Sequence, residues 1–336
     1  MMTIQEIEAA CDASQPLDFT RHEIQGPELP LHKMFYPLGF PTEVRTNSPE
    51  ILSHYEESWG MLEGHFETEP IRIDILLTET KSTECPPAPT YRMMGPHMIG
   101  VADADNYSVV NLERGHTYIT VTRATLAHQR YLRYVFLEAA TGCHIATQHA
   151  MPIHAGCVGL NERGVLLCGD SGAGKSSLSY ACARAGFTYV ADDASYILNQ
   201  CKNRTVIGNC HRVRLRPSAA TLFPEINRLK MTPRLSGKPS IEMTTASLTN
   251  IATASSLKVD HIVFLNRRAG GSPELRPYRK DVARQFMRQV LYGSPESLAR
   301  QYETIERLLA VDVLELRYTA MDWAIHRLQR LLREGL

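Results

Sequence analysis

Eight consecutive residues, Gly169-Asp170-Ser171-Gly172-Ala173-Gly174-Lys175-Ser176, satisfy the pattern G-x-x-x-x-G-K-[ST] at every fixed position. Each residue type in that spacing has a chemical use. The glycines let backbone N–H groups turn inward onto a phosphate. The lysine reaches terminal phosphates, and the serine hydroxyl binds Mg²⁺. Ser177 completes the candidate cofactor-binding stretch. The flanking elements suit the pattern. Val165-Leu166-Leu167-Cys168 predicts a short buried strand. Ser177 to Ala185 predicts a helix with Leu178, Ala181, Cys182 and Ala185 on one side. Its N-terminus would add the positive end of the helix dipole. A glycine-rich turn matching by chance would lack this context.

Phosphoryl transfer also asks for Mg²⁺ ligands and a group that orients or deprotonates the acceptor. Asp192 and Asp193 follow the predicted strand Phe187–Ala191, where the chain returns to the phosphate end of the sheet. Neighbouring side chains of an extended chain point oppositely, so the two acids need not share one job. One could help bind Mg²⁺, directly or through water. The other could act as base toward an acceptor hydroxyl. His154 precedes the phosphate-loop strand and could stand near the aspartates, although spacing alone favours a satisfied core histidine. His97 and His116 stand alone and read as surface or strand-end residues.

The segment entering the loop predicts its architecture. Pro152 to Gly159 and Val165 to Cys168 are apolar runs separated by Asn161-Glu162-Arg163-Gly164, which is turn chemistry. The strand before the loop is therefore expected to be the second arm of a hairpin. A doubly wound fold would instead feed the loop from a parallel strand reached by a helical crossover. A mixed sheet, and a different nucleotide-binding class, is the expectation.

The stretch from His154 to Asp193 resembles the catalytic core of the HPr kinase/phosphorylase family. That family combines a histidine before a hairpin, a G-D-S-G-x-G-K-S loop and a strand ending in A-D-D. Here these are His154, Gly169 to Ser176, and Ala191-Asp192-Asp193, spaced 15 residues from His154 to Gly169 and 17 from Lys175 to Asp192. The resemblance implies a phosphoenolpyruvate-carboxykinase-like P-loop kinase domain with a mixed sheet, an α/β (α+β) protein using ATP and Mg²⁺. It implies that Lys175 and Ser176 hold phosphates and Mg²⁺, that Asp192 is the catalytic base with His154 near it, and that Asp193 is a metal-side carboxylate. The chain departs from the family pattern at Ser177, where the family has glutamate, and the family's downstream glycine- and asparagine-containing segment has no counterpart. The resemblance thus implies a divergent serine kinase acting on a protein or peptide acceptor. A sensor lacking transfer activity and a bifunctional kinase/phosphorylase are the alternatives. A homo-oligomer is a further expectation from the family.

The chain has 336 residues, 43% hydrophobic and 21% charged, with zero formal net charge. That length suits two domains. The charge balance argues against broad capture of nucleic acid. No apolar run reaches the roughly 18 residues of a membrane span. Eight scattered cysteines without C-x-x-C spacing fit reduced thiols and a cytoplasmic setting. A smaller N-terminal α+β recognition or regulatory domain is expected over 1–125, and the catalytic domain over 126–336. Residues 1–28 read as an amphipathic helix and connector, and Leu126 to Gln148 as largely helical. The basic stretch Arg228 to Lys238 is a candidate lid through Arg234 or Lys238.

Overall fold

The computed structural model describes residues 8–10, 12, 13, 15, 28–199, 203–233, 239–267 and 271–335. Most of the expected N-terminal helix, and Arg234 and Lys238 of the expected lid, lie outside them. The chain forms two compact units, Met1–Gln148 and His149–Leu336.

The first unit is built on one seven-stranded sheet. Its strands are β1 (Leu31–Phe35), β2 (Thr42–Thr46), β3 (Ile71–Thr78), β4 (Thr90–Met94), β5 (His97–Val101), β6 (Tyr107–Asn111) and β7 (His116–Thr122). They lie in the order β1-β2-β3-β7-β6-β5-β4. The pairs β2–β3 and β3–β7 are parallel. Strand β3 alternates, and Ile71, Ile73, Ile75 and Leu77 are all buried. Helix α1 (Pro49–Trp59) starts as its residues require, with Ser48 accepting from the Ile51 N–H and Pro49 in the first turn. It buries Ile51, Tyr55 and Trp59, one helical face. His97 and His116 each open a strand. His116 Nε2 lies 3.0 Å from the Asp74 carboxylate, which Arg45 also grips at 2.9 and 3.2 Å.

The two units divide at Gln148/His149, where the sequence reading placed a boundary near residue 125. The helical segments Arg123–Ala127, Gln129–Tyr131, Leu132–Glu138 and Ala139–His144 pack within the first unit. The ties are specific. Tyr91 Oη donates to the Val135 carbonyl at 3.3 Å, Thr117 Oγ1 lies 2.7 Å from His144 Nε2, and the Gln148 amide donates to the Leu112 carbonyl at 2.7 Å.

The second unit centres on a nine-stranded mixed sheet. Its strands are β8 (Ala150–Ile153), β9 (Gly156–Leu160), β10 (Arg163–Cys168), β11 (Thr188–Ala191), β12 (Ser195–Leu198), β13 (Thr205–Gly208), β17 (Ser256–Arg267), β18 (Glu274–Pro277) and β19 (Asp312–Tyr318). A separate three-stranded sheet holds β14 (Arg212–Leu215), β15 (Met231–Pro233) and β16 (Pro239–Thr244). The hairpin is present: β9 and β10 pair antiparallel from Arg163↔Leu160 to Leu167↔Gly156. Its turn is Asn161-Glu162, both with positive φ (52° and 63°), the geometry that matches hairpin twist. Strand β10 then pairs parallel with β17, and β17 with β19.

Both faces of β10 are covered, which explains its unbroken apolar run. Val165 and Leu167 join one core cluster with α2 (Lys175–Arg184) and α5 (Met321–Glu334). Leu166 and Cys168 join another with α3 (Lys280–Arg288) and α4 (Pro295–Leu308). Fully burying each leucine contributes about 1.5–3 kcal/mol. Helix α2 buries Leu178, Ala181 and Cys182 as expected, and Tyr180 and Ala183 as well. Ala185 stands exposed because it is the C-cap, past the last helical turn. Gly186 follows with φ 92°, the left-handed exit that glycine permits.

Candidate functional site

Topology gathers the site at one end of the nine-stranded sheet. Strand β10 ends at Cys168 and delivers Gly169 there. Strand β9 runs opposite to β10, so the chain just before it, His154-Ala155, sits at the same end. Strand β11 runs opposite to β9, with Ala191 paired to Cys157, so Asp192 and Asp193 emerge there too. Residues about forty apart in sequence meet because two successive antiparallel pairings reverse direction twice.

The glycine loop has the backbone it needs. Gly169, Gly172 and Gly174 have φ of 144°, 97° and 98°, values that residues with a Cβ rarely adopt. Gly174 is the N-cap of α2, so the first helical N–H groups open toward the loop. The Ala173 N–H donates to the Asp170 carbonyl at 3.0 Å, closing the turn. Asp170, Ser171 and Gly172 are exposed at its crest, and Ala173 and Gly174 half-buried below.

Lys175 is 5% exposed. Its ammonium donates back to the loop's own carbonyls, Gly169 at 2.6 Å and Asp170 at 3.2 Å. Burial lowers its pKa from the ordinary lysine value, while the Asp193 carboxylate opposes that shift. The same burial pushes the neighbouring Cys168 thiol up to about 12, against the pull of the Lys175 charge. Ser176 Oγ donates to the Asp192 carbonyl at 3.4 Å, so the first turn of α2 touches the end of β11. Ser177 lies half-buried in that turn.

The two aspartates diverge, as extended neighbours must. Asp192 is 7% exposed. Its Oδ1 accepts from Tyr189 Oη and its Oδ2 from the Arg214 N–H, both at 3.1 Å, which joins β11 to β14. The Asp193 side chain is 30% exposed. His154 Nδ1 lies 3.1 Å from the Asp193 carbonyl and 3.4 Å from its carboxylate Oδ1. A carbonyl only accepts, so Nδ1 carries the proton. The expectation from sequence set His154 near Asp192; its ring meets the carbonyl and carboxylate of the adjacent Asp193, while the Asp192 carboxylate accepts from Tyr189 and the Arg214 N–H.

One neighbour was missed from sequence. Arg216, just past β14, donates from a guanidinium nitrogen to Ser171 Oγ at 2.8 Å. The alternation Arg212-Val213-Arg214-Leu215-Arg216 was its one local signal, since burial of Val213 and Leu215 puts the arginines on the opposite face.

The donor set fits a Mg²⁺-polyphosphate. Among the described residues no group of three or more His, Cys, Asp or Glu could cage a metal. Mg²⁺ typically takes one or two protein ligands, with substrate phosphates and water filling the rest. A serine in the first turn of α2, bonded to the strand end that carries the two aspartates, suits that habit. No helix among the described residues is long and apolar enough to cross a membrane.

The family model that matches this chain falls on this end of the sheet. Residues 145–216 match the family model described as the HPr Serine kinase C-terminal domain. That span contains His154, the whole glycine loop, both aspartates and Arg216. No curated protein matches the chain. Among solved structures, the Hpr(Ser) kinase/phosphatase from Coxiella burnetii is 15% identical, with 55% of this chain and 99% of that chain covered and a TM-score of 0.29, which carries no functional argument. Over residues 145–216, the segment that holds the site, the chain is similar to the HPr Serine kinase C-terminal domain.

Proposed function

We propose that the chain is an ATP- and Mg²⁺-dependent kinase that transfers the γ-phosphate to a hydroxyl, a serine of a protein or peptide acceptor. The observation that carries this reading is the pairing of His154 with Asp193 at the sheet end that also holds the glycine loop. Bound Mg²⁺ would neutralise phosphate charge and align the donor. Ser176 would hold it, and Asp193 lies in the same corner. The amides of residues 169–174 would cradle the phosphates, and Lys175 would exchange its bonds to Gly169 and Asp170 for phosphate oxygens. Asp193, partly exposed and oriented by His154 Nδ1–H, would take the proton of the acceptor hydroxyl. This gives Asp193 the base role expected for Asp192. Asp192 instead positions the end of β11 through Tyr189 and Arg214.

The test is incubation of the full chain with γ-labelled ATP, Mg²⁺ and serine-containing peptides or proteins. Acceptor-dependent label, lost in Asp193→Asn, supports the kinase. Nucleotide binding without label on any acceptor would favour the sensor reading. The first unit would then read a partner rather than present an acceptor.

A further inference from the structure

Three arginines lie at alternate positions along the end of β14, and they are not equivalent. Val213 and Leu215 are fully buried, so Arg212, Arg214 and Arg216 share the other face. Glu242 on the paired strand β16 neutralises the first two, at 2.8 Å from Arg212 and 2.7 Å from Arg214. Their side chains are 13% and 25% exposed. Arg216 is exposed, and among the described residues no carboxylate pairs with it. Its backbone is extended (φ −73°, ψ 151°) and is followed by Pro217, which holds it so. That geometry aims the side chain at the crest of the glycine loop. One guanidinium nitrogen holds Ser171 Oγ at 2.8 Å, and another lies 3.9 Å from where a Cβ on Gly172 would stand.

The charges make this arrangement purposeful. Arg216 stands close enough to Lys175 that its charge disfavours the lysine's protonated form. Two cations facing one loop repel each other until an anion lies between them. A neutral serine hydroxyl engages one of the guanidinium's five N–H donors and leaves its fork available. Planar forks match phosphate oxygens bidentately.

We infer that Arg216 is a catalytic residue that grips the terminal phosphate of the donor and stabilises the charge spreading over it during transfer. The inference rests on the phosphotransfer reading above. In the step it serves, the acceptor oxygen forms a bond to the γ-phosphorus. The bond from that phosphorus to the β,γ-bridging oxygen breaks, and its electron pair stays on the departing ADP. The acceptor proton passes to Asp193. Arg216 gains interactions with the equatorial γ-oxygens, and none with ADP alone.

That difference between triphosphate and diphosphate supplies a test independent of the acceptor. The full chain, with Mg²⁺, is titrated calorimetrically with ADP and with a non-hydrolysable ATP analogue. Arg216→Ala is expected to weaken the analogue roughly ten- to hundredfold, the value of a charge-assisted contact, while ADP changes less than about threefold. Arg216→Lys should recover part of the lost affinity, since charge returns without the fork. Lys175→Ala should weaken both ligands. Equal effects of Arg216→Ala on both ligands, or none on the analogue, would overturn the inference while leaving the cradle standing. If Lys175→Ala weakens neither, the phosphate-loop reading itself fails and takes Arg216 with it. The side chain is exposed, so its loss should leave the melting temperature unchanged.

Discussion

One imidazole nitrogen, His154 Nδ1, lies within 3.4 Å of both the backbone carbonyl and the carboxylate of Asp193. It therefore fixes the backbone and the side chain of that residue together. As the proposed base, Asp193 would lose little entropy on meeting an acceptor when its orientation is set this way. The adjacent acid, Asp192, accepts from Tyr189 Oη and the Arg214 N–H. The predictions below separate these roles.

Asp193→Asn is expected to slow transfer by roughly 10²–10⁴-fold, the usual contribution of a positioned general base. ADP affinity should stay within about threefold, because a base acts on the acceptor rather than on the diphosphate. Labelled-phosphate transfer and ADP titration on one preparation check this.

Asp192→Asn should act first on stability. It removes a buried charge that accepts from Tyr189 Oη and the Arg214 N–H. A loss of about 1–3 kcal/mol is expected, read as a lower melting temperature. Full stability with abolished transfer would return the base role to Asp192.

Gly156 faces α2 at close quarters: a Cβ there would stand 2.2 Å from Ser179 Oγ and 3.3 Å from the Ala191 carbonyl. Gly156→Ala should destabilise by about 1–3 kcal/mol, the usual cost of overpacking. Adding Ser179→Gly should recover part of that loss. Thermal melts of the single and double variants decide it.

Nucleotide affinity should fall on the alkaline side earlier than an ordinary lysine would allow. Burial lowers the Lys175 pKa, and only the protonated form attracts phosphate. As pH rises through the lowered value, ADP binding weakens. Folding responds oppositely. Between the folded and unfolded values the unfolded lysine holds more protons, so this group makes the fold more stable as pH rises. ADP titrations and melts across an alkaline series should diverge in this way.

His261 gives the acid limb. Burial lowers its pKa, helped by the Arg163 charge and opposed by Asp312 and Asp260. Below the ordinary value of 6.5 the unfolded chain binds this proton more readily. Stability should therefore fall as pH drops from there through the folded value, and level off below it. His261→Gln should flatten that slope in melts recorded as a function of pH.

The sequence by itself determined the pieces that rest on neighbouring residues. The strand, glycine loop and helix from Val165 to Arg184 follow from an apolar run, three glycines that reach positive φ, and a helical stripe. The hairpin follows from Asn161-Glu162 between two apolar runs. The placement of Asp192-Asp193 at a strand end was legible for the same reason. Only the tertiary structure decided that Asp193 meets His154 and that Asp192 accepts from Tyr189 and the Arg214 N–H, since that depends on how the ends of β9, β11 and β14 are brought together. It also decided that Arg216 reaches Ser171 across 45 residues, because β14 belongs to a separate sheet whose position no local pattern encodes. The division at Gln148/His149 was hidden likewise. Helical periodicity shows that the segment after Arg123 has an apolar face, but the sheet that receives that face is set by long-range packing.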